Sequence, residues 1–259
     1  MNGVLSSEWL KLRTVRSTHY ALGVVVLMVL AGGVWAYYAG TVWDTQDPAT
    51  QGTFHSAAPE AGFLPFVQIA LAVVGVLVIT AEFATGTIRP SLTAVPARTK
   101  LVLAKASVLA VASLAAAYVY LFATYSLGRL IVGERAMGFN EGSLADDLPL
   151  LLASGLSVAM LALTGLGLGA VTRSTAGGIA SIAGLLFVVP GVANLLPEPS
   201  GFWIMALMPQ ALVMRIADQG ALFVPGFPLF PPVVALIALL GYGVAGVTLG
   251  VIALRRRDV

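Results

Sequence analysis

The sequence has no cysteine, only two histidines (His19 and His55), and few charges: Asp, Glu, Lys and Arg make up 10% of its 259 residues. Without cysteine there is no disulfide, no thiolate metal site and no cysteine nucleophile. Neither histidine stands in a ligand-like spacing. A soluble domain carries about 25% charged residues, so the shortage of charge excludes a water-covered globular surface. Disorder is excluded by the 58% hydrophobic content, because a disordered chain needs low hydrophobicity and high charge. Signatures of chemistry are missing as well. No Gly-Lys dipeptide occurs, hence no GxxxxGK(S/T) phosphate loop, and neither HExxH nor GxSxG is present. No catalytic residue, cofactor-binding residue or metal ligand is therefore assigned.

What is present is apolar length. The mean hydropathy is +0.93, and a spanning helix needs about 20 mostly apolar residues. Six stretches meet this: Tyr20–Ala39, Leu64–Ala81, Ala106–Leu127, Leu150–Val171, Ala176–Leu196 and Pro232–Leu254. The fold class is all-α, a polytopic membrane protein forming one transmembrane domain over 1–259. Lys and Arg set the orientation. With the N-terminus in the cytoplasm, eleven lie inside and three (Arg129, Arg135, Arg215) outside. Both termini are then cytoplasmic. A cleaved signal peptide is the alternative for the first span; its near-full spanning length, and Glu8 and Trp9 ahead of it, argue against cleavage.

Between the spans, residues 1–18 predict an interfacial helix. Leu5, Trp9 and Leu12 share one face, while Glu8, Lys11 and Arg13 project elsewhere. The outer loop Gly40–Phe63 reads as irregular. The linker Thr172–Thr175 is short enough to force a helical hairpin. Residues 197–230 are apolar but broken by prolines, and predict short helices at the outer leaflet. Gly165 and Gly169, and Gly246 and Gly250, stand at the four-residue spacing that lets helix backbones approach. Ala176, Ala180 and Gly184 extend the pattern in the fifth span. Gln68, Thr80, Thr164 and Asn194 read as interhelical glue. The span centres carry no charge and no carboxylate pair, whereas ion-coupled carriers place ionisable groups there. Arg129 comes nearest, within snorkelling reach of the outer end of the third span.

The longest inner loop, 82–100, begins Glu-Phe-Ala-Thr-Gly-Thr-Ile-Arg-Pro at Glu82. Glu82 to Ile88 predicts about two helical turns, stopped by Pro90. Such an element suits docking to a soluble partner; a plain solvated basic loop is the equally open alternative.

Three stretches together carry a family resemblance: SEWLKLR at Ser7–Arg13, EFATGTIRPSLTAVPAR at Glu82–Arg98 followed by Lys105, and the terminal ALRRRDV. The chain resembles the permease subunits of type-2 ATP-binding-cassette exporters, in their small six-span form common in actinobacteria. The most specific part is Glu82-x-x-x-Gly-Thr-x-Arg. The resemblance implies a separate ATPase subunit, which binds the ATP and Mg, and a second permease, as homo- or heterodimer. It assigns Glu82, Phe83, Gly86, Thr87, Arg89 and Arg98 to an ATPase-coupling element. Glu8, Trp9 and Lys11 fall on the connecting helix. The segment Trp203–Ile216 becomes re-entrant outer helices. It implies export across the bacterial cytoplasmic membrane, with drug or antibiotic resistance as one family role. In one place the chain departs from the pattern: Met208-Pro209-Gln210-Ala211-Leu212 lacks the glycine of the Pro-x-x-Ala-Gly turn found in related permeases. The apolar walls suit a hydrophobic small molecule, lipid or peptide; membrane lipids are neighbours, and nucleic acid is not a partner. The competing readings are an autonomous carrier or channel, and a scaffold or intramembrane enzyme.

Overall fold

The computed structural model describes residues 2–87, 90, 98–218 and 230–256. Among these, all regular structure is helical: α1 (Asn2–Thr14), α2 (Arg16–Asp44), α3 (Pro48–Gln51), α4 (Pro59–Gly62), α5 (Leu64–Ala84), α6 (Arg98–Val132), α7 (Leu144–Thr172), α8 (Thr175–Ala183), a π-helical turn (Gly184–Val188), α9 (Val189–Ala193), α10 (Ser200–Ala206), α11 (Pro209–Ile216) and α12 (Pro232–Arg256). Six helices are long and apolar enough to cross a membrane: α2, α5, α6, α7, the run from α8 through α9, and α12. Each coincides with one predicted span, the fifth ending at Ala193 rather than Leu196.

The boundaries shift where tertiary contacts supply what the sequence could not show. The third span begins at Arg98 rather than near Ala106, so Lys105 is inside a helix instead of in a loop. The first span runs on to Asp44, and the loop after it holds α3 and α4 rather than irregular chain alone. The fifth span is helical throughout but irregular: a π turn precedes Pro190, whose ring and missing N–H disturb the preceding helical turn. Residues 200–216 do form two short helices, α10 and α11.

The helices pack around α7. In its most apolar window 78% of residues are buried, against 28% for α2 and α12 and 17% for the run α8–α9. Glycine explains how α7 sits at the hub. A Cβ added at Gly75 of α5 would strike the Ala162 carbonyl of α7, and one at Gly165 would strike the Ala72 carbonyl of α5. On the opposite side of α7, Gly167 and Gly246 of α12 are each pressed onto the other helix's backbone. Gly169 lies 2.9 Å from Ile79 and Val76 by the same measure, whereas Gly250 meets nothing nearer than 3.4 Å and Gly184 meets nothing within 4 Å. Close backbone approach replaces the hydrophobic drive that lipid cannot provide. Polar side chains add to it: Gln68 Nε2 donates to Ser157 Oγ (2.9 Å), Thr164 Oγ1 to the Tyr242 carbonyl (3.0 Å), and Thr175 Oγ1 to Thr80 Oγ1 (3.0 Å). Asn194, expected to do the same, is exposed at the end of α9.

Helix α6 gives the bundle its scale. Its 35 residues extend about 52 Å, against a hydrocarbon core of about 30 Å. Lys105 and Arg129 are separated along it by about 36 Å, so each stands at one edge of the apolar layer. The basic end of the bundle holds Lys105, Arg98, Arg173 and Arg255; the opposite end holds Arg129, Glu60 and Asp147.

Candidate functional site: a buried ionic knot at the basic end

Four charged side chains from three helices meet at the basic end. Lys105 Nζ of α6 donates to Glu8 Oε2 of α1 at 2.7 Å and to Glu82 Oε1 of α5 at 2.6 Å. Lys11 Nζ donates to Glu8 Oε1 at 2.7 Å and Glu82 Oε1 at 2.8 Å. The Lys105 side chain is 1% exposed, Glu8 4% and Glu82 9%, whereas Lys11 is 45% exposed and caps the knot toward the surface. Two cations and two anions balance. For Lys11, burial works against its charge, and the hydrogen bonds and charges of Glu8 and Glu82 outweigh it, holding its pKa above the ordinary lysine value. A buried lysine needs such partners, since taking an ion out of water costs several kcal/mol.

The local sequence explains how the residues converge. Glu8 and Leu12 are four apart and form the buried face of α1, at 4% and 8% exposure. Of the predicted apolar face, Leu12 is buried, Leu5 partly buried and Trp9 exposed, and Glu8 joins Leu12 because Lys105 offers it a counter-charge. Glu82 does not open a separate coupling helix. It lies in the last turn of α5, which ends at Ala84, and faces Lys105. The carboxylate pair that the sequence seemed to lack is thus assembled from α1 and α5, remote in sequence. A signal for Lys105 did exist: no glycine or proline stands between Arg98 and Gly128, so one helix could run through it.

The other residues that the resemblance assigned to a coupling element make separate contacts at the same end. Phe83 lies under the Arg173 guanidinium, 5.2 Å from ring centroid to Cζ. Arg173 closes α7 in the left-handed region (φ 51°), so this contact joins the α5 exit to the α7–α8 hairpin. Gly86 has φ +71°, a conformation open to glycine without penalty, and turns the chain off α5. The Thr85 and Thr87 hydroxyls share a hydrogen bond of 2.8 Å. Arg98 donates to the Leu254 carbonyl at the end of α12, and Arg255 returns a hydrogen bond to Thr99 Oγ1 at 2.7 Å. Arg89 lies outside the described residues. Trp9 joins neither the knot nor these contacts, and Gly165, Gly169, Gly246 and Gly250 lie within the bundle, remote from the knot in sequence.

A second ionic cluster occupies the opposite end. Arg129 does not snorkel freely: its Nη2 donates to Asp147 Oδ2 (2.6 Å) and to the Phe139 carbonyl (2.7 Å), with its Cζ 3.4 Å from the Tyr125 ring centroid. Glu60 of α4 is 3.9 Å from Arg129 Nη1. Burial raises the Glu60 pKa, opposed by its backbone hydrogen bond and by Arg129, and reinforced by Asp147.

A helical bundle whose charge is confined to its two rims, with an amphipathic helix bolted beneath it, is a multi-pass membrane protein. A family model described as "ABC-2 family transporter protein" matches residues 4–191, and the chain belongs to that family. The match takes in α1, α2, α5, α6, α7 and the knot; α10 to α12 lie beyond it. A search of curated proteins found no match.

Proposed function

We propose that this chain is the permease subunit of an ATP-driven exporter in the bacterial cytoplasmic membrane, with its basic end toward the cytoplasm and a separate ATPase docked there. ATP and Mg are bound and used by that ATPase, and this chain supplies no cofactor site and no catalytic step. A second permease, of this or a related sequence, completes the pathway. The cargo is a hydrophobic or amphipathic small molecule, lipid or peptide.

The observation that carries this reading is the knot itself. The turn after α5 is the element on which an ATPase is expected to act, and Glu82 stands one turn before it, tied to α1 and α6 by paired charges. Force applied at Gly86 or Thr87 is therefore delivered to three helices at once rather than lost in a flexible loop. Such a switch biases two arrangements of rigid helices. Glu82 transmits the motion, Phe83 passes it to the α7–α8 hairpin through Arg173, and Arg98 holds the start of α6 to α12.

The test is reconstitution in liposomes with and without the partner ATPase. Efflux of cargo that requires both ATPase and ATP supports the reading; transport by the isolated chain overturns it. A Glu82→Gln variant is expected to keep the ATPase bound while its ATP hydrolysis separates from transport. Normal coupling in that variant removes Glu82 from the mechanism.

A further inference from the structure

Beside the knot lies a cavity of about 410 Å³, between α1, the start of α2, α5 and α6. Pockets for small molecules run from about 300 to 1,000 Å³. Its walls are Leu12, Val74, Leu77, Val78, Val108 and Leu109, and one end is closed by Glu82 and Lys105. Two polar atoms on the lining are buried without a hydrogen-bond partner among the described residues: Glu82 Oε2 and Thr18 Oγ1. Glu82 as a residue is 7% exposed, and its other oxygen is consumed by both lysines. A buried polar atom left unpaired costs about 1–3 kcal/mol.

We propose that this cavity is a binding site for a neutral amphiphile, an apolar chain ending in a hydroxyl. The two open atoms define the head group. Glu82 Oε2 can only accept, and Thr18 Oγ1 can donate. A hydroxyl both donates and accepts, and so can meet either atom. A carboxylate head would face Glu82 with like charge, and an ammonium, though it could donate to both oxygens, would add a positive charge. The knot is already balanced by two lysines against two glutamates, so no net charge is wanted from the ligand. The apolar walls take the chain. This site is independent of whether the protein couples to an ATPase, since it requires only α1, α2, α5 and α6.

The test uses the purified full chain in nanodiscs and dodecanol bearing a mid-chain diazirine. Photolabelling is expected to concentrate on peptides containing Leu12, Val78 and Leu109, and to be competed by unlabelled dodecanol. The matched methyl ether and the matched amine are expected to label these peptides far less. Thr18→Val, which keeps side-chain shape, is expected to reduce labelling roughly fivefold, the scale of one neutral hydrogen bond. Val78→Phe, which fills the space, is expected to abolish it. Native mass spectrometry then separates two sources. A hydroxyl-headed membrane lipid retained through purification assigns the site to a resident lipid, and a chain that takes up only added dodecanol assigns it to a passing amphiphile. Either result supports the site. Labelling spread evenly over the lipid-facing helices, or equal labelling by the methyl ether, overturns it, and neither outcome depends on a variant folding.

Discussion

The two rims of the bundle solve the same problem differently. Helix α6 carries one cation near each edge of the apolar layer, and each must be neutralised where water is scarce. At the basic end Lys105 meets two carboxylates at 2.6–2.7 Å, and Lys11 completes an even balance. At the opposite end Arg129 faces Asp147 at 2.6 Å but Glu60 at 3.9 Å, one cation against two acids. The first arrangement binds three separate helices into one unit. The second leaves a carboxyl whose protonation the fold favours. Rigid coupling is thus concentrated at the end where an ATPase is expected, and sensitivity to pH at the other.

The sharpest way to break this contrast is to remove Lys105. Lys105→Met leaves the buried Glu8 and Glu82 with only the half-exposed Lys11 between them, and severing a buried pair costs about 3–5 kcal/mol. Thermal unfolding in detergent, followed by tryptophan fluorescence, is expected to show the largest fall in Tm of any variant here. Adding Glu8→Gln and Glu82→Gln to it is expected to recover part of that loss. No recovery would falsify the electrostatic account of the knot.

A steric control separates rim from interior. Gly75→Ala forces a methyl into the Ala162 carbonyl, and overpacking of this kind costs about 1–3 kcal/mol. The same unfolding assay should place it below Lys105→Met. A smaller change is expected from Glu60→Gln, and it is read in pH dependence. Because the folded state raises the Glu60 pKa above its ordinary 4.5, the folded chain holds that proton more tightly than the unfolded one. This contribution to stability is complete below the ordinary value and is lost as pH rises through the folded one. Glu60→Gln is therefore expected to flatten the decline of Tm as pH rises above the ordinary 4.5. The smallest effect is expected from Arg135→Ala. Its bidentate pair with Asp44 is solvent-exposed, and exposed pairs contribute little; a Tm indistinguishable from the parent is the expected result.

Much of the architecture was legible in the sequence, and the parts that were not share a cause. The six spans follow from apolar run length, which is local. The tight α7–α8 hairpin follows from Arg173 and Ser174 alone between the helices. The small-residue spacing pointed to Gly165, Gly169 and Gly246, yet Gly75 and Gly167, pressed as closely, stand outside the pairs it singled out. The start of the inner loop is shaped differently from the expectation: Glu82 reads as the start of a helix by its spacing to Pro90, but α5 continues through it to Ala84, where Lys105 offers a buried counter-charge. The apolar periodicity that grouped Leu5, Trp9 and Leu12 gave no sign that Glu8 would be buried, since hydrophobic periodicity takes no account of an ion pair.

By itself the amino-acid sequence determined the solvent this protein lives in, the number of its spans and the rims on which its charges fall. These depend on composition along short windows, and the cost of moving charge into hydrocarbon acts on each window separately. Only the tertiary structure decided which charges pair. Glu8, Lys11, Glu82 and Lys105 come from elements up to 97 positions apart, and whether a lysine belongs in a loop or in a buried helix depends on partners that no local pattern contains.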